Sequence, residues 1–382
     1  MQFSKFNFKD QKVLVRVDFN VPIKGGKITD DSRIKKALPT INHILSCDPK
    51  QIIIISHLGR PKGKVNKKYS MKKPASRLSH LLKKRVYFEK NSNLRKLNLP
   101  NKKIIVLENL RYDIGEKNND EIFSKKLSSY ANVFVFDAFG VAHRSHSSVV
   151  GIPKYLPSCF GLLMEKEIKH LKTNMKNPKR PFVAIIGGAK ADKIAVINQL
   201  LKKVDYLIIS GILANTFLKT KNYDIGISKF DEKSIPICKK MLIKYPKKIK
   251  LPKDYITGLE FNEKTKSKLE EGKKINGMIM DIGPKTIESY KKILGKAKTI
   301  VWAGPIGVFE YKKFEKGTKE IAKFLSKLNA TVIVGGGDSG EAIHKYKLEK
   351  KITHVSTGGG ASLEMLSGKK LPVFKVIKWR LE

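Results

Sequence analysis

The chain has 382 residues, 78 Lys plus Arg against 34 Asp plus Glu, and a formal net charge of +44. Its length exceeds what one hydrophobic core usually organises, and 41% hydrophobic residues with 8% aromatics exclude wholesale disorder. No stretch approaches the roughly 18 apolar residues of a membrane span, and the lysines are scattered with no aromatic-interleaved basic module, which argues against specific nucleic-acid binding.

Weak, salt-sensitive association with polyanions is still expected from the charge alone. The N-terminus, MQFSKFNFKD, lacks the apolar core of a secretion signal, so a cytoplasmic protein is expected. Cys47, Cys159 and Cys238 are odd in number, far apart and without metal-ligand spacing, which suits reduced thiols. Arginine is scarce in a chain so rich in lysine: Arg16, Arg33, Arg60, Arg77, Arg85, Arg95, Arg111, Arg144, Arg180 and Arg380. Arginines kept under such a bias point to places that need a planar, two-pronged donor.

In the first half, short apolar runs each lead into polar or cationic residues. Val13–Val17 runs into Asp18-Phe19-Asn20, and Ile52–Ile55 into Ser56-His57-Leu58-Gly59-Arg60. Ile104–Leu107 precedes Glu108-Asn109-Leu110-Arg111, and Val133–Phe136 precedes Asp137 and the segment ending His143-Arg144. Such runs predict strands buried on both faces of a parallel sheet. Between them, Ile34, Leu38, Ile41 and Leu45 follow the helical period, with Asp30, Asp31 and Ser32 as start signals and Pro39 expected to bend or delay the helix. Alternating strands and helices predict an α/β fold with ligands at the carboxyl ends of the strands.

Met164–Leu171 predicts a helix ending before Asn177-Pro178, placed to lie between two domains. The second half ends its strands in glycine: Val183–Ile186, Tyr206–Ser210, Met278–Ile282, Thr299–Ala303, Val332–Val334 and Ile352–Thr357. This suits a flat ligand approached by backbone, while the arginine half suits a small, highly charged anion. Lys229–Lys274 reads as a charge-rich helical excursion.

The segment TVIVGGGDSGEAI (Thr331–Ile343) brings a strand through glycines to a helix expected to start near Glu341, capped by Asp338 or Ser339. Bare N–H groups at such a start favour an anion. Gly335, Gly337 and Gly340 also satisfy the dinucleotide fingerprint, but the next strand ends at Ser356-Thr357 where an acidic residue for the ribose is required. No Walker A, G-x-S-x-G or H-E-x-x-H pattern is present. Phosphoryl transfer between a nucleotide and a small anion is the chemistry that remains, and it demands charge and alignment more than a nucleophile.

RVDFNVP, TDDSRIKKALPTI, SHLGRP, LENLRY, DAFGVAHR, GGAK, ANTF, DIGP, GPIGVFE, GGGDS and STGGGASLE occur in this order. Together they resemble phosphoglycerate kinase over nearly the whole chain. The resemblance implies reversible transfer of phosphate from 1,3-bisphosphoglycerate to ADP, giving 3-phosphoglycerate and ATP, with Mg²⁺ and with domain closure. It implies two Rossmann-like domains with parallel sheets: 1–164 plus 370–382 for phosphoglycerate, an interdomain helix over 165–178, and 179–369 for the nucleotide.

The same resemblance assigns Asp18, Asn20, Arg33, His57, Leu58, Gly59, Arg60, Arg111 and Arg144 to phosphoglycerate. Lys190, Lys193, Gly211, Gly283, Glu310, Gly336, Gly337, Asp338 and Ser339 go to the nucleotide, with Asp338 on Mg²⁺. Arg33, Lys190, Gly337 and Gly359 would stabilise the migrating phosphoryl group. A monomer is expected on the same ground. Arg77, Arg85 and Arg95 read as surface ion pairs, and His43, His80, His170, His344 and His354 as structural.

Three departures fall in the nucleotide half. Gly187–Lys193 is one residue shorter than the family's Gly-Gly-Ala-Lys-x-x-Asp-Lys, Ser210-Gly211-Ile212 replaces a triple glycine, and Ala303 replaces the asparagine of Trp-Asn-Gly-Pro. A raised nucleotide KM is expected from them. The alternatives are an impaired homologue that still binds phosphoglycerate and a polyanion-binding protein on the same fold.

Overall fold

Val13–Val17 is buried along its whole length, and so are the apolar runs that follow it in the first half. In the computed structural model, which describes residues 3–188 and 194–378, the chain divides into two compact units. One comprises Met1–Lys169 with Lys370–Glu382, the other His170–Lys369.

The first unit is built on β1 (Lys12–Val17), the small hairpin β2 (Ile23–Lys24) and β3 (Lys27–Ile28), then β4 (Gln51–Ile55), β5 (Tyr87–Phe88), β6 (Ile104–Val106), β7 (Val133–Asp137) and β8 (Ser158–Phe160). The six long-range strands form one sheet in the order β5-β6-β4-β1-β7-β8, parallel throughout. Arg16 is in register with Ile55 and Phe136, and Ile54 with Val106. The residues just past these strands, Asp18, His57, Glu108 and Ala138, therefore leave the sheet at one edge.

The helix Ser32–Ser46 continues unbroken through Pro39 and buries Ile34, Ala37, Ile41 and Ile44. Leu38 and Leu45, expected on the buried face, are half-buried. The buried stripe is rotated slightly from the predicted one, and its burial outweighs the missing proline N–H.

The helix Leu162–Lys176 begins in the first unit, and the boundary between units falls within it, after Lys169. Its first turn is held by Asp137 Oδ1, which accepts from Met164 N at 3.0 Å, and by Thr40 Oγ1, which accepts from Leu162 N at 3.0 Å. Near the other terminus Phe374 packs edge-on against Phe160 at 5.6 Å.

The second unit contains β9 (Phe182–Ile186), β10 (Tyr206–Ile209), β11 (Ile249–Lys250), β12 (Asp254–Gly258), β13 (Lys268–Glu271), β14 (Met278–Ile282), β15 (Thr299–Ala303), β16 (Thr331–Val334) and β17 (His354–Val355). A parallel sheet runs β11-β10-β9-β15-β16-β17 over a core that includes Trp302, Val183, Ile300, Ile321 and Val334. Two expectations are corrected here. Met278–Ile282 joins an antiparallel sheet, β13-β12-β14, instead of the parallel one. Lys229–Lys274 holds only one α-helix, Ile235–Lys244, and supplies the partner strands; lysine spacing hid the alternation that pairs them. Among the described residues, no helix is long and apolar enough to cross a membrane.

Asp281, on β14, ties that sheet to the first turn of the helix Lys316–Leu325. Its Oδ2 accepts from Gly317 N at 2.7 Å, while Oδ1 is buried with no partner among the described residues. Gly307 and Gly317 leave room for it, since a Cβ at either would lie 2.2 or 2.3 Å from Oδ1. Burial raises the Asp281 carboxyl to about 7, against the N–H groups of Gly317 and Ile282 that favour its charged form. Between the ordinary 3.8 and about 7 the folded chain keeps a proton that the unfolded chain releases, so rising pH removes stability across that window. Asp281→Asn should escape this loss. Its urea midpoint relative to the parent should rise from about pH 4 to about pH 8; a pH-independent difference would contradict the assignment.

Candidate active site

The edge where β1 and β4 end is stitched together by side chains from the following loops. Phe19 N donates to Ser56 Oγ at 2.8 Å, and Gly59 N donates to Asn20 Oδ1 at 2.8 Å. Gly59 has φ +61°, and a Cβ there would lie 2.3 Å from the Tyr69 ring, so the turn requires glycine. Asn109, buried after β6, donates through Nδ2 to Leu58 O at 2.7 Å and Tyr69 O at 2.8 Å, and accepts from Arg111 N at 3.1 Å. Arg111 in turn donates through Nη1 to Gly59 O at 2.7 Å. Its Nη2 is buried and has no hydrogen-bond partner among the described residues.

Arg33, from the first turn of its helix, pairs with Asp18, which is 6% exposed. Asp18, Asn20, Arg33, His57, Leu58, Gly59, Arg111 and Arg144 are thus drawn into one cluster, with the exposed Arg60 acting on Arg144. The cluster is electrostatically uncomfortable as it stands. Burial, then the charges of Arg144 and Arg16, push the Arg111 guanidinium down to about 10. Burial followed by Arg60 lowers Arg144. Burial, reinforced by Arg111, Arg16, Arg144 and Arg33, holds the His57 imidazole well below its ordinary 6.5. All these shifts have the sign that an added anion would reverse.

In the second unit, five parallel strands run into glycines or a Ser-Gly step. Gly211 has φ +62°, and a Cβ there would lie 2.6 Å from Gly188 O. A Cβ at Gly336 would meet Ser356 O at 2.5 Å, and one at Gly359 would meet Gly336 O at 2.4 Å, so the loops after β16 and β17 press backbone against backbone. Gly337, at φ +73°, precedes the helix Asp338–Lys345. That helix starts three residues before the predicted Glu341, and neither Asp338 nor Ser339 caps it by a side-chain hydrogen bond.

Ser339 is buried, and its Oγ accepts from Gly304 N at 2.6 Å, holding the loop after β15 while keeping its own proton to donate. Asp338 and Glu310 are exposed. Gly283 stands apart from this pattern. It follows an antiparallel strand and packs on Asp254, whose carboxylate accepts from Lys285 N and Thr286 N at 2.9 and 2.8 Å and so occupies that helix start. Lys190 and Lys193 lie outside the described residues. Ile212 is half-buried and donates its N–H to Gly188 O at 3.2 Å.

Arg77 bonds Asp31 at 2.6 Å, and Arg95 bridges Asp113 and Asp120 at 2.5 and 3.0 Å, as surface ion pairs. His43 packs against Phe3, His344 pairs with Glu349, and His354 stacks on His170. Sequence reasoning missed Arg16, which is fully buried, together with Glu116, His146 and Ser148 behind the cluster. A charged residue inside the apolar run VLVRV was the available signal for Arg16. Nothing local marked the others.

A family model described as "Phosphoglycerate kinase" matches residues 3–369. The phosphoglycerate kinase of Borrelia garinii subsp. bavariensis is 47% identical over 383 residues, covering 97% of each chain. That of Clostridium tetani is 47% identical over 378 residues, covering 95% of this chain and 94% of its own. Among solved structures, the phosphoglycerate kinase of Coxiella burnetii superposes with a TM-score of 0.81 at 39% identity over 98% of both chains. That of Pyrococcus horikoshii OT3 superposes with a TM-score of 0.86 at 33% identity, over 99% of this chain and 98% of the other. The ordered motifs, the two parallel sheets and the whole-length matches lead to one conclusion: this chain belongs to the phosphoglycerate kinase family.

Proposed function

We propose that the chain transfers a phosphoryl group reversibly from 1,3-bisphosphoglycerate to ADP, with 3-phosphoglycerate held on the first unit and the nucleotide on the second. The observation that carries the first half is the buried Nη2 of Arg111, unpartnered among the described residues, inside a cluster of like charges. A phosphate or carboxylate oxygen would satisfy it and relieve the repulsion from Arg144 and Arg16. Asp18 and Asn20 are the acceptors available to a glycerate hydroxyl, and Arg60 guards the rim.

The tight packing of the loops at Gly336 and Gly359, with open space around Gly337, supports a phosphate cradle, and Glu310 is available to a ribose. Lys190 and Lys193 would complete the phosphate contacts. Asp338 is the candidate ligand for Mg²⁺. Its carboxylate is exposed, and among the described residues no three His, Cys, Asp or Glu converge, a donor set that fits an ion shared with nucleotide phosphates better than a protein cage. When bound, Mg²⁺ would offset phosphate charge.

No general base is needed, because a carboxylate is the attacking or leaving group. Arg33 would release Asp18 to neutralise the equatorial oxygens of the migrating group, aided by the N–H groups near Gly337 and Gly359. The two ligands belong to different units, so in-line transfer requires the units to close and exclude water. A monomeric, cytoplasmic enzyme completes this reading.

A coupled assay with 3-phosphoglycerate, ATP and Mg²⁺ tests it. Turnover supports the enzyme, whereas phosphoglycerate binding without turnover would leave an impaired homologue. Arg33→Ala should lower kcat by about 10²-fold or more while nucleotide KM changes little; near-parental turnover would remove Arg33 from the chemistry. Ile212→Gly should lower the KM for ADP and ATP, because a branched side chain beside Gly211 narrows the nucleotide side. An unchanged KM would show that Ile212 does not limit it.

A further inference from the structure

Behind the arginine cluster lies a buried chain of side chains that the phosphoglycerate contacts do not require. Arg16 is fully buried, one residue before the end of β1. Its Nε donates to Ser148 Oγ at 2.9 Å, its Nη1 to Val17 O, and its Nη2 lies 3.1 Å from His57 Nδ1. Ser148 in turn donates through Oγ to Glu116 Oε1 at 2.6 Å and through its backbone N–H to Glu116 Oε2 at 3.0 Å. Glu116 is fully buried, and His146 Nδ1 stands 3.6 Å from its Oε1.

The proton positions follow from donor chemistry. A guanidinium carries only N–H donors, so a ring nitrogen 3.1 Å from Nη2 must accept. Nδ1 of His57 is therefore bare, and the one proton of a neutral imidazole sits on Nε2. A second proton on Nδ1 would point at a fixed cation. The carboxylate that could take it, Asp18 Oδ1, is 4.0 Å away and Asp18 is already paired with Arg33. The other charged groups acting on the ring, Arg33, Arg111 and Arg144, also disfavour a second proton.

Arg16 itself needs a counter-charge to persist in a dry interior. Burial works against ionisation of Glu116, yet His146, Arg16 and Ser148 outweigh it and hold the carboxyl below its ordinary range. Ser148 joins the two ions, accepting from one and donating to the other.

We propose that Arg16, Ser148 and Glu116 are positioning residues that fix His57 as a neutral imidazole protonated on Nε2. This rests, for its consequence, on the reading of His57 as a phosphoglycerate contact. On that reading His57 presents the ligand with an N–H donor whose proton does not come and go with pH. A histidine, ordinarily the side chain that titrates in this range, is converted into a constant donor.

The test is a long-range proton–nitrogen correlation spectrum of the full ¹⁵N-labelled chain, with His57 assigned by the signal lost in His57→Gln. The parent should show a pyridine-like Nδ1 and a pyrrole-like Nε2 with no titration between about pH 5 and 8. A pyrrole-like Nδ1, or a His57 that titrates in this interval, overturns the proposal without recourse to any variant. Ser148→Ala, which removes the link but leaves both ions, should free Arg16 to move and shift His57 towards mixed tautomers, while the cations facing the ring still suppress its titration. Its KM for 3-phosphoglycerate should rise about tenfold, as for loss of one charge-assisted hydrogen bond, with the KM for ATP unchanged. Glu116→Gln, which loosens the same link through Ser148, should move the His57 tautomer balance in the same direction without bringing titration. Ring signals in both variants identical to the parent's overturn the proposal. Ring signals that move as expected while the phosphoglycerate KM stays constant uphold the tautomer assignment and remove His57 from the phosphoglycerate site.

Discussion

The first unit depends on holding several arginine side chains against one another at the edge of a parallel sheet. Two unit charges about 4 Å apart interact by about 4 kcal/mol at the effective dielectric near a protein surface. Repulsion at such a separation would be a sizeable fraction of a domain's net stability, which is why like charges held in one cluster need anchoring. The chain bears it by supplying few counter-charges and placing them with care. Asp18 meets Arg33 at the front, and at the back Glu116 acts on Arg16 through Ser148, which bonds both. Backbone carbonyls orient the rest, as Gly59 O does for Arg111. The outcome is a cluster that is anchored but not neutralised, which is what recognition of a small multivalent anion requires.

The second unit solves a different problem with different residues. A nucleotide offers a broad face and a flexible chain of phosphates, and the proposed site would meet it with loops at Gly211, Gly336 and Gly359, where no Cβ fits because backbones meet. Ser339 holds the Gly304 N–H after β15, and Asp281 the Gly317 N–H in the first turn of the helix Lys316–Leu325, each from a buried position, as Asn109 holds the Leu58 carbonyl in the first unit. The division of labour follows from ligand chemistry: guanidinium forks where charge is concentrated, bare backbone where it is spread along a chain.

Much of this was legible in the residues. Runs such as QIIII and VFVFD can only be strands buried on both faces, and the polar residues just beyond them had to share an edge once those strands were parallel. Gly59 and Asn109 fell inside motifs whose order identified the family. What stayed hidden depends on long-range pairing. Arg16 meets Ser148 across 132 positions, and Ser148 meets Glu116 across 32; no local pattern ties a buried arginine to its carboxylate.

Met278–Ile282 was misplaced for a related reason, since an apolar run ending in Gly-Pro reads alike in parallel and antiparallel sheets. The start of the helix at Asp338 was missed because Ser339, a residue type suited to capping, is spent on Gly304 instead. The roles assigned to Lys190 and Lys193 rest on family resemblance, since neither is among the described residues.

The proposed phosphoglycerate site centres on Arg111, whose Nη2 is buried with no partner among the described residues. Calorimetric titration of 3-phosphoglycerate into the parent and into Arg111→Met tests it most directly. Loss of one charge-assisted, two-pronged contact should weaken binding by at least about tenfold. Equal affinity in a folded Arg111→Met protein would contradict the account.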